Sequence, residues 1–450
     1  MTAAPSALPT PPGPRARYPG EFLRAMARDP LAFLTGLRDR HGDVARFRMA
    51  GRTMVLLSHP DAVREVLVTE QRRFARGYRY RTLKLLLGEG LLTSEGAFHL
   101  RQRRLAQPAF HRERIAGYAR AMTAAAEGWD ARWRARAGTT VDVADEMGAL
   151  ALAIVGETLF GQDVTREADA VARALDVALQ SATPAVAALG RWALHLPIPA
   201  ARRFRAARRD LDGVIYGLIG QRRRTGGGDD LLSLLLEATD AEGDGARMTD
   251  GQLRDEAMTL FLAGHETTAN ALAWTWYLLA LHPEVEARLL DSLAPLGGRA
   301  ATMEDVPRLG YARQVLGEAL RLYPPAYAMG RVALEDVALG GYHVPAGAGV
   351  LMSQWVTHRD PRFWADPARF DPDRWAPGAA EGRHRFAYFP FGAGTRICIG
   401  EQFAWTEALL VLATLAPRWR LTLAPGAVVM PQPIITLRPR GGIPMTLHPR

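Results

Sequence analysis

The stretch FGAGTRICIG, residues 391–400, contains Cys398, the only cysteine among the 450 residues. Glycines at 392, 394 and 400 allow tight turns and a close approach of the backbone to a flat ligand. The segment that follows, EQFAWTEALLVLATLA, is predicted to be a helix, and a thiol near a helix amino terminus ionises more easily. A thiolate is a soft iron ligand. A small buried thiol or a cysteine nucleophile would also fit this stretch alone, although no spacing singles out a histidine base.

The bulk composition indicates a globular protein, with 48% hydrophobic and 23% charged residues. One cysteine excludes an internal disulfide and every multi-cysteine zinc or iron–sulfur site. The net charge is +9, and Lys84 is the only lysine, so arginine carries almost all of the positive charge. Arginine-rich stretches such as 202–210 and 221–224 have helical patterning without interleaved aromatic residues, which argues against nucleic acid. They are solvated helix faces or a basic docking surface for an acidic partner.

The chain is predicted to consist of a proline-rich leader, residues 1–20, and a single catalytic domain, residues 21–450. The leader lacks the apolar region of a signal peptide. Every apolar run is interrupted before about eighteen residues, so no transmembrane helix is expected. We expect a soluble cytoplasmic protein.

Helical periodicity dominates from about residue 97 to residue 325, and short strand-like runs occupy 43–60 and 336–353. The predicted fold class is therefore mainly α with small β-sheets (α+β). Residues 224–230 and 240–250 are predicted to be loops.

One predicted helix is unusually long. Thr249 and Gln252 form a capping box, and apolar periodicity continues until Pro283. Such a helix is on the order of 50 Å long and must pass through the middle of the fold. Its centre, residues 264–268, reads GHETT, which is a poor choice for a buried interior and so predicts a functional site.

Five motifs, in the same order, resemble the cytochrome P450 family over residues 20–450. FGAGTRICIG matches the haem-binding pattern Phe-x-x-Gly-x-Arg-x-Cys-x-Gly, and AGHETT (263–268) matches the oxygen-activating pattern [AG]-G-x-[DE]-T-[TS]. EALR (318–321) matches the Glu-x-x-Arg helix. FDPDRW (370–375) matches the segment that carries the third member of that cluster, with Trp375 where Phe is usual. HLRQR (99–103) matches a histidine or tryptophan followed four residues later by arginine.

The resemblance implies haem b held between the long helix and the cysteine loop, with Cys398 as the iron ligand. Its cofactor-binding residues would be Phe391, Gly394, Gly400, Ala263 and Gly264, and its propionate partners His99, Arg103, Arg331 and Arg396. It implies that the Thr267 hydroxyl serves oxygen activation and that Glu266 relays protons. The same hydroxyl could instead bond back to the carbonyl at position 263.

A structural cluster and a substrate pocket are also implied by the resemblance. Glu318, Arg321 and Arg374 would form a buried ionic cluster that holds the haem loop. The pocket would draw on 74–96 and 177–195, and on Leu260, Thr268, Ala326, Tyr327 and Ile434. These stretches are largely apolar, so an apolar substrate of the terpenoid, fatty-acid or carotenoid class is expected.

The function that the resemblance implies is a haem-thiolate monooxygenase that inserts one oxygen atom from O2 into an apolar small molecule. Electrons would come from a separate ferredoxin or flavodoxin with its reductase, docked on a basic face containing Arg101, Arg103, Arg104, Arg112 and Arg396. A monomer is expected. Two alternatives are a peroxide-driven peroxygenase, against which the Glu266–Thr267 pair argues, and a non-enzymatic haem-binding protein, which would gain nothing from AGHETT.

Overall fold

The structure is a computed structural model that describes residues 7–161, 198–240 and 247–450, together with 174, 177 and 245. The helices of these residues are α1 Glu21–Arg28, α2 Pro30–His41, α3 Pro60–Arg64, α4 Tyr78–Leu87, α5 Gly96–Ala106, α6 Arg112–Arg134, α7 Val143–Phe160, α8 Pro199–Thr225, α9 Leu231–Glu237, α10 Asp250–Leu281, α11 Pro283–Leu293, α12 Gly310–Leu322, α13 Gln354–Thr357 and α14 Glu401–Leu415.

The strands are short, and helix predominates. They are β1 Val44–Met49, β2 Arg52–Leu57, β3 Phe74–Arg76, β4 Thr140–Asp142, β5 Met329–Ala333, β6 Val337–Leu339, β7 Tyr342–Val344, β8 Gly349–Met352, β9 Trp419–Leu423, β10 Pro431–Pro433, β11 Leu437–Pro439 and β12 Pro444–Pro449. The predicted α+β class is therefore confirmed.

The chain divides into two compact units. The first comprises Met1–Arg79, Gly317–Cys398 and Pro431–Arg438, and the second comprises Tyr80–Leu316, Ile399–Met430 and Pro439–Arg450.

The first unit is organised around a five-stranded sheet of order β1-β2-β8-β5-β3. β1 and β2 form a hairpin that turns at Gly51 (φ 76°), and β2 pairs parallel to β8. Part of the predicted leader lies along this unit, since the Pro12 carbonyl accepts a hydrogen bond from the Arg46 amide at 2.7 Å. The division into leader and single domain stays a prediction.

The second unit is organised around helix α10, whose boundaries agree with the prediction. The Thr249 hydroxyl and the Gln252 side chain form both halves of the capping box, and the helix ends before Pro283. Large side chains pack on it from α7 and α6: the Phe160 and Phe261 rings lie 5.7 Å apart, and the Trp133 and Trp276 rings 6.1 Å. Helix α10 is therefore buried around most of its circumference, yet no described helix has the length and hydropathy that a membrane span requires.

Candidate active site

Residues 391–398 of the cysteine loop belong to the first unit. Cys398 is exposed, and its amide donates a hydrogen bond of 2.9 Å to the Phe391 carbonyl, which closes the loop. The side chain of Gln71 accepts from the amide and the hydroxyl of Thr395 at 2.9 and 2.8 Å. The thiol is thus held on a tight loop with its outer side open to a ligand.

Gly394 is required at its position in this loop for two reasons. Its φ is +70°, in the left-handed region, and a Cβ atom there would lie 1.9 Å from the Leu67 carbonyl oxygen. Gly392 also has a positive φ (+73°), but a Cβ atom there would only touch the Met329 side chain at 3.4 Å. The absence of a side chain at Gly394 therefore allows the loop to lie close to the backbone at Leu67.

Behind the loop, Glu318 and Arg321 form a completely buried ion pair in helix α12. Arg321 Nη2 lies 2.7 Å from Glu318 Oε1, and Arg321 Nε lies 2.8 Å from Oε2, so the pair is bidentate. The remaining Arg321 donors reach the carbonyls of His358, Pro367 and Arg369 at 2.8 to 3.0 Å. A buried pair offsets its desolvation cost only when such further hydrogen bonds are made, and here they are.

Arg374 and Trp375 donate further hydrogen bonds to the Glu318 carboxylate. Arg374 Nε donates to Oε1 at 3.2 Å, as expected for the third member of the cluster. Trp375 Nε1 donates to Oε2 at 3.1 Å, and the Asp371 amide donates to Oε1 at 3.1 Å. The tryptophan that departs from the usual family residue therefore contributes a donor that phenylalanine lacks.

An aromatic cluster joins this ionic cluster to the start of the cysteine loop. The Trp375 and Tyr388 rings have centroids 4.4 Å apart, and the Tyr388 hydroxyl donates to the Gly317 carbonyl at 3.2 Å. The neighbouring Phe389 amide donates to Nε2 of buried His358 at 3.0 Å. Burial and the charge of Arg321 hold the pKa of His358 well below its ordinary value, so the imidazole is neutral and can accept this bond.

The residues predicted to contact the propionates lie in both units. In the first unit, Arg331 is buried on β5 and Arg396 is half-buried in the cysteine loop. In the second unit, His99 is buried and Arg103 half-buried on helix α5, four residues apart and therefore on one helix face.

Helix α10 has an open face at the predicted oxygen-activating motif. Ala263 is exposed, and Gly264 and Thr267 are partly exposed, whereas His265, Glu266 and Thr268 are buried. The Thr267 hydroxyl donates a hydrogen bond of 2.6 Å to the Ala263 carbonyl, which is the back-bond considered as the alternative to oxygen activation. Only small side chains occupy the open face, so a flat ligand can approach the helix there.

Glu407 is a buried acid that the sequence analysis missed. It lies on helix α14 with no exposed surface, and burial raises its pKa well above the ordinary value. The Thr268 hydroxyl opposes part of this shift, although in the described chain neither carboxyl oxygen makes a hydrogen bond of ordinary geometry. The signal available in the sequence was a single acid inside the apolar run FAWTEALLVL.

The predicted pocket residues lie in both units. In the first unit, the Tyr327 hydroxyl donates to the Ile434 carbonyl at 3.1 Å and accepts from Arg79 Nη1 at 3.0 Å, and Ala326 precedes Tyr327 in the chain. In the second unit, Leu260 and Thr268 are both buried on α10. Apart from Val177, the region 177–195 lies outside the described residues.

Two arginines of the predicted docking face have an internal partner. Buried Asp240 lies 3.4 Å from Arg101 Nε and 3.0 Å from Arg104 Nη2. One carboxylate therefore offsets part of the positive charge assigned to that face, whereas Arg112 is exposed at the start of α6.

Comparison with known proteins identifies the class of protein that this fold and these motifs define. The chain matches the family profile "Cytochrome P450" over residues 11–443, and it belongs to the cytochrome P450 family. It is an oxidoreductase of the monooxygenase type that binds haem b.

Individual relatives are similar along nearly the whole chain. Cyclooctatin synthase of Streptomyces melanosporofaciens is 42% identical, covering 94% of this chain and 92% of that protein. Pentalenene oxygenase of Streptomyces avermitilis is 37% identical, with 92% and 91% covered. The crystal structure of the cytochrome P450DA haem domain is similar with a TM-score of 0.88 and 30% identity, covering 98% of both chains.

The described residues fit the haem that this family binds. In the first unit, the exposed Cys398 thiol is chemically suited to be an iron donor. In the second unit, the open face of α10 carries only small side chains. When bound, haem with a thiolate ligand supplies an iron centre that favours O–O bond cleavage.

Proposed function

We propose that this chain is a terpenoid hydroxylase in which Cys398 ligates the haem iron and Thr267 and Glu266 supply protons during oxygen activation. The single observation that carries these roles is the combination of an exposed, loop-fixed thiol with an open helix face that bears one hydroxyl. His99, Arg103, Arg331 and Arg396 would hold the propionates, and Phe391, Gly394, Gly400, Ala263 and Gly264 would border the macrocycle. Glu318, Arg321 and Arg374 would keep the loop in place.

The proton-handling role rests on the local geometry of helix α10. The Thr267 hydroxyl is fixed by the Ala263 carbonyl, so its lone pairs and its position are defined before any substrate binds. Glu266 is the adjacent buried acid in the motif. An alcohol that is positioned in this way can pass on a proton that an acid behind it replaces.

The terpenoid substrate class is supported by the names of the relatives and by the apolar lining. Cyclooctatin synthase and pentalenene oxygenase modify terpenoids. The residues proposed for the pocket, Leu260, Thr268, Ala326, Tyr327 and Ile434, offer mainly apolar contacts with one phenol and one aliphatic hydroxyl. Such a lining favours a hydrocarbon skeleton over a charged substrate.

Electrons would come from a ferredoxin or flavodoxin with its own reductase. Charge supports this proposal, since the chain carries a net charge of +9 and a cationic face attracts an acidic redox protein.

Two measurements test the proposal. Purified protein with haem is titrated with a panel of terpene hydrocarbons, fatty acids and carotenoids, and the low-to-high-spin shift is recorded. Cyclic terpenes should give the largest shift, and a shift with fatty acids alone would contradict the substrate class. Cys398→Ser should abolish the red-shifted Soret band of the reduced carbon monoxide complex, and retention of that band would refute the ligand assignment.

A further inference from the structure

The segment 88–94 is fastened to helix α10 by two adjacent carboxylates. The Glu89 amide donates to Asp255 Oδ2 at 2.8 Å, and the Leu91 amide donates to Glu256 Oε2 at 3.0 Å. Gln102 Nε2, from helix α5, donates to the other Glu256 oxygen at 2.9 Å. One buried carboxyl thus joins the loop, helix α5 and helix α10, and we call this arrangement the Glu256 latch.

The loop touches the helix closely enough to require glycine. A Cβ atom on Gly90 would lie 2.1 Å from the Thr259 hydroxyl oxygen and 2.5 Å from the Asp255 carbonyl oxygen. A Cβ atom on Gly88 would lie 2.1 Å from the Asp255 carboxylate. The loop therefore contacts helix α10 at Asp255 and Thr259, and Thr259 is the residue immediately before Leu260, which is proposed to line the pocket.

Hydrogen bonds within the 88–94 loop hold its own shape. Leu91, Thr93 and Ser94 are buried, and the Thr93 hydroxyl donates to the Gly88 and Gly90 carbonyls at 2.7 and 3.2 Å. Leu92, between them, stays partly exposed. Hydrogen bonds on both sides of Leu92 therefore fix the backbone that carries its side chain.

Charged groups surround the latch on each element that packs against it. Arg254 pairs with Asp212 of helix α8 and with Asp255, and Lys84 of helix α4 pairs with Glu89. On helix α5, Arg101 Nη1 donates to Gln102 Oε1 at 3.2 Å and pairs with Asp240. Arg101 therefore orients the Gln102 amide so that its N–H group faces Glu256.

We propose that Glu256, assisted by Asp255, is a positioning residue that holds the 88–94 loop on helix α10 and thereby sets which substrate carbon is oxidised. The proposal rests on the proposed function, since it concerns the same pocket. Leu91 and Gln102 present two N–H donors to one buried carboxyl, and an apolar side chain at position 256 would leave both donors buried without an acceptor.

Ionisation of the same carboxyl gives the latch a pH dependence. Burial raises the pKa of Glu256 to about 7, the Asp255 charge adds to this effect, and the two donated hydrogen bonds oppose it. If the loop opens to water, the acid returns toward its ordinary, lower pKa. Between these two pKa values a rise in pH therefore favours the open loop, and the neutral acid favours the closed one.

The test compares Glu256→Leu and Glu256→Gln in the holoenzyme, with Asp250→Asn on the exposed first turn of α10 as the control. Amide exchange at Leu91, corrected for the intrinsic rate at each pH, should accelerate about tenfold or more in Glu256→Leu. In the parent, exchange should accelerate as pH rises from about 5 to 7 and then level off. In Glu256→Gln it should be flat with pH, because a glutamine amide is neutral throughout. Unchanged Leu91 exchange in Glu256→Leu would overturn the latch.

The selectivity part is read from the ratio of hydroxylated products. Glu256→Leu should redistribute oxidation among carbons, Glu256→Gln, which keeps only one acceptor, should give a ratio that does not change with pH, and Asp250→Asn should follow the parent ratio at every pH. Faster exchange with an unchanged product ratio in Glu256→Leu would overturn the positioning role.

A second variant displaces the loop while leaving the carboxylate in place. Gly90→Ala should shift the product ratio in the same direction as Glu256→Leu, whereas Gly251→Ala, with no neighbour within 4 Å of its added Cβ atom, should not. If Glu256→Leu fails to fold, Gly90→Ala decides: an unchanged product ratio refutes the proposal. If no terpenoid gives a spin shift, the proposed substrate class has failed, and the same comparisons proceed with whichever panel compound binds.

Discussion

The indole N–H of Trp375 donates a hydrogen bond of 3.1 Å to Glu318 Oε2 and thereby adds a neutral donor to a buried ionic cluster. Trp375→Phe removes this donor while it preserves an aromatic ring against Tyr388. A hydrogen bond to a charged group contributes about 1.5–3 kcal/mol, so the variant should fold but lose haem at lower denaturant concentration than the parent. Haem retention during urea titration measures this, and unchanged retention would contradict the prediction.

Glu318→Ala and Arg321→Ala should be much more damaging than Trp375→Phe. Each leaves one completely buried charge without its partner, which costs about 3–5 kcal/mol. We expect mostly insoluble or haem-free protein. Glu381→Ala, at an exposed position of the same unit, should change stability by less than about 0.5 kcal/mol. Normal yield and haem content in both cluster variants would show that the pair is not needed.

Gly394→Ala tests the cysteine loop without removing the thiol. The added Cβ atom would overlap the Leu67 carbonyl oxygen, so the loop must shift and haem incorporation should fall sharply. The control is Gly382→Ala, because Gly382 has a similar φ of +76° but open space around it. That control isolates the left-handed backbone strain, about 1–2 kcal/mol. Equal haem content in the two variants would mean that the close approach is unimportant.

Stability should fall as pH rises, because two buried acids have raised pKa values. Burial raises the pKa of Glu256 to about 7 and that of Glu407 well above its ordinary value. A raised folded-state pKa means that the stabilisation is complete below the unfolded-state value and is lost as pH rises through the folded-state value. For Glu256 the loss is about 1.4 kcal/mol per pH unit between the unfolded-state value of 4.5 and the folded-state value of about 7, and it levels off above pH 7. Urea unfolding at pH 5 and pH 7 should show a smaller difference in Glu256→Gln than in the parent, and an equal difference would contradict the assignment.

The sequence predicted those features that depend on local chemistry. Helix α10 begins at its capping box and ends before Pro283, as expected from Thr249, Gln252 and the proline itself. The contacts among Glu318, Arg321 and Arg374 followed from the family resemblance rather than from spacing, since an i,i+3 pair is usually a surface pair. The roles assigned to these residues stay predictions.

Features that depend on which elements pack together could not be predicted. Glu256 follows Asp255 in a segment with several charges, and only the packing of the 88–94 loop and Gln102 shows that one of these acids is buried. Likewise, Arg101 and Arg104 share Asp240, more than 130 residues away, which a linear count of arginines cannot show. Long-range partners of charged side chains are therefore the features that the sequence alone does not reveal.

Electron transfer should slow as salt concentration rises if an acidic redox protein docks on arginines. The Debye length is about 10 Å at 0.1 M, so the encounter is screened over this range. Arg112→Ala should lower the second-order rate at low salt, whereas Arg209→Ala, an exposed arginine on helix α8, should not. Rates that are indifferent to ionic strength would remove the argument for a cationic docking face.

Thr267→Ala separates a monooxygenase from a peroxide-driven peroxygenase. Cleaving dioxygen consumes two protons, and the Thr267 hydroxyl, fixed 2.6 Å from the Ala263 carbonyl, is the alcohol on the open face of helix α10. The variant should bind haem and substrate almost as the parent does, because the lost hydrogen bond lies within one helix turn. Product formed per NAD(P)H should drop while hydrogen peroxide accumulates, and activity driven by added peroxide should survive, since peroxide brings its own protons and electrons.

Thr275→Ala is the matched control for this last experiment. Its hydroxyl makes the same back-bond, 2.7 Å to the Ala271 carbonyl of the same helix, but the residue is completely buried two turns further on. Loss of the back-bond alone should therefore leave the coupling of electrons to product unchanged. If Thr267→Ala couples electrons to product as well as Thr275→Ala and the parent do, the hydroxyl on the open face of α10 has no part in proton delivery, whatever Cys398 binds.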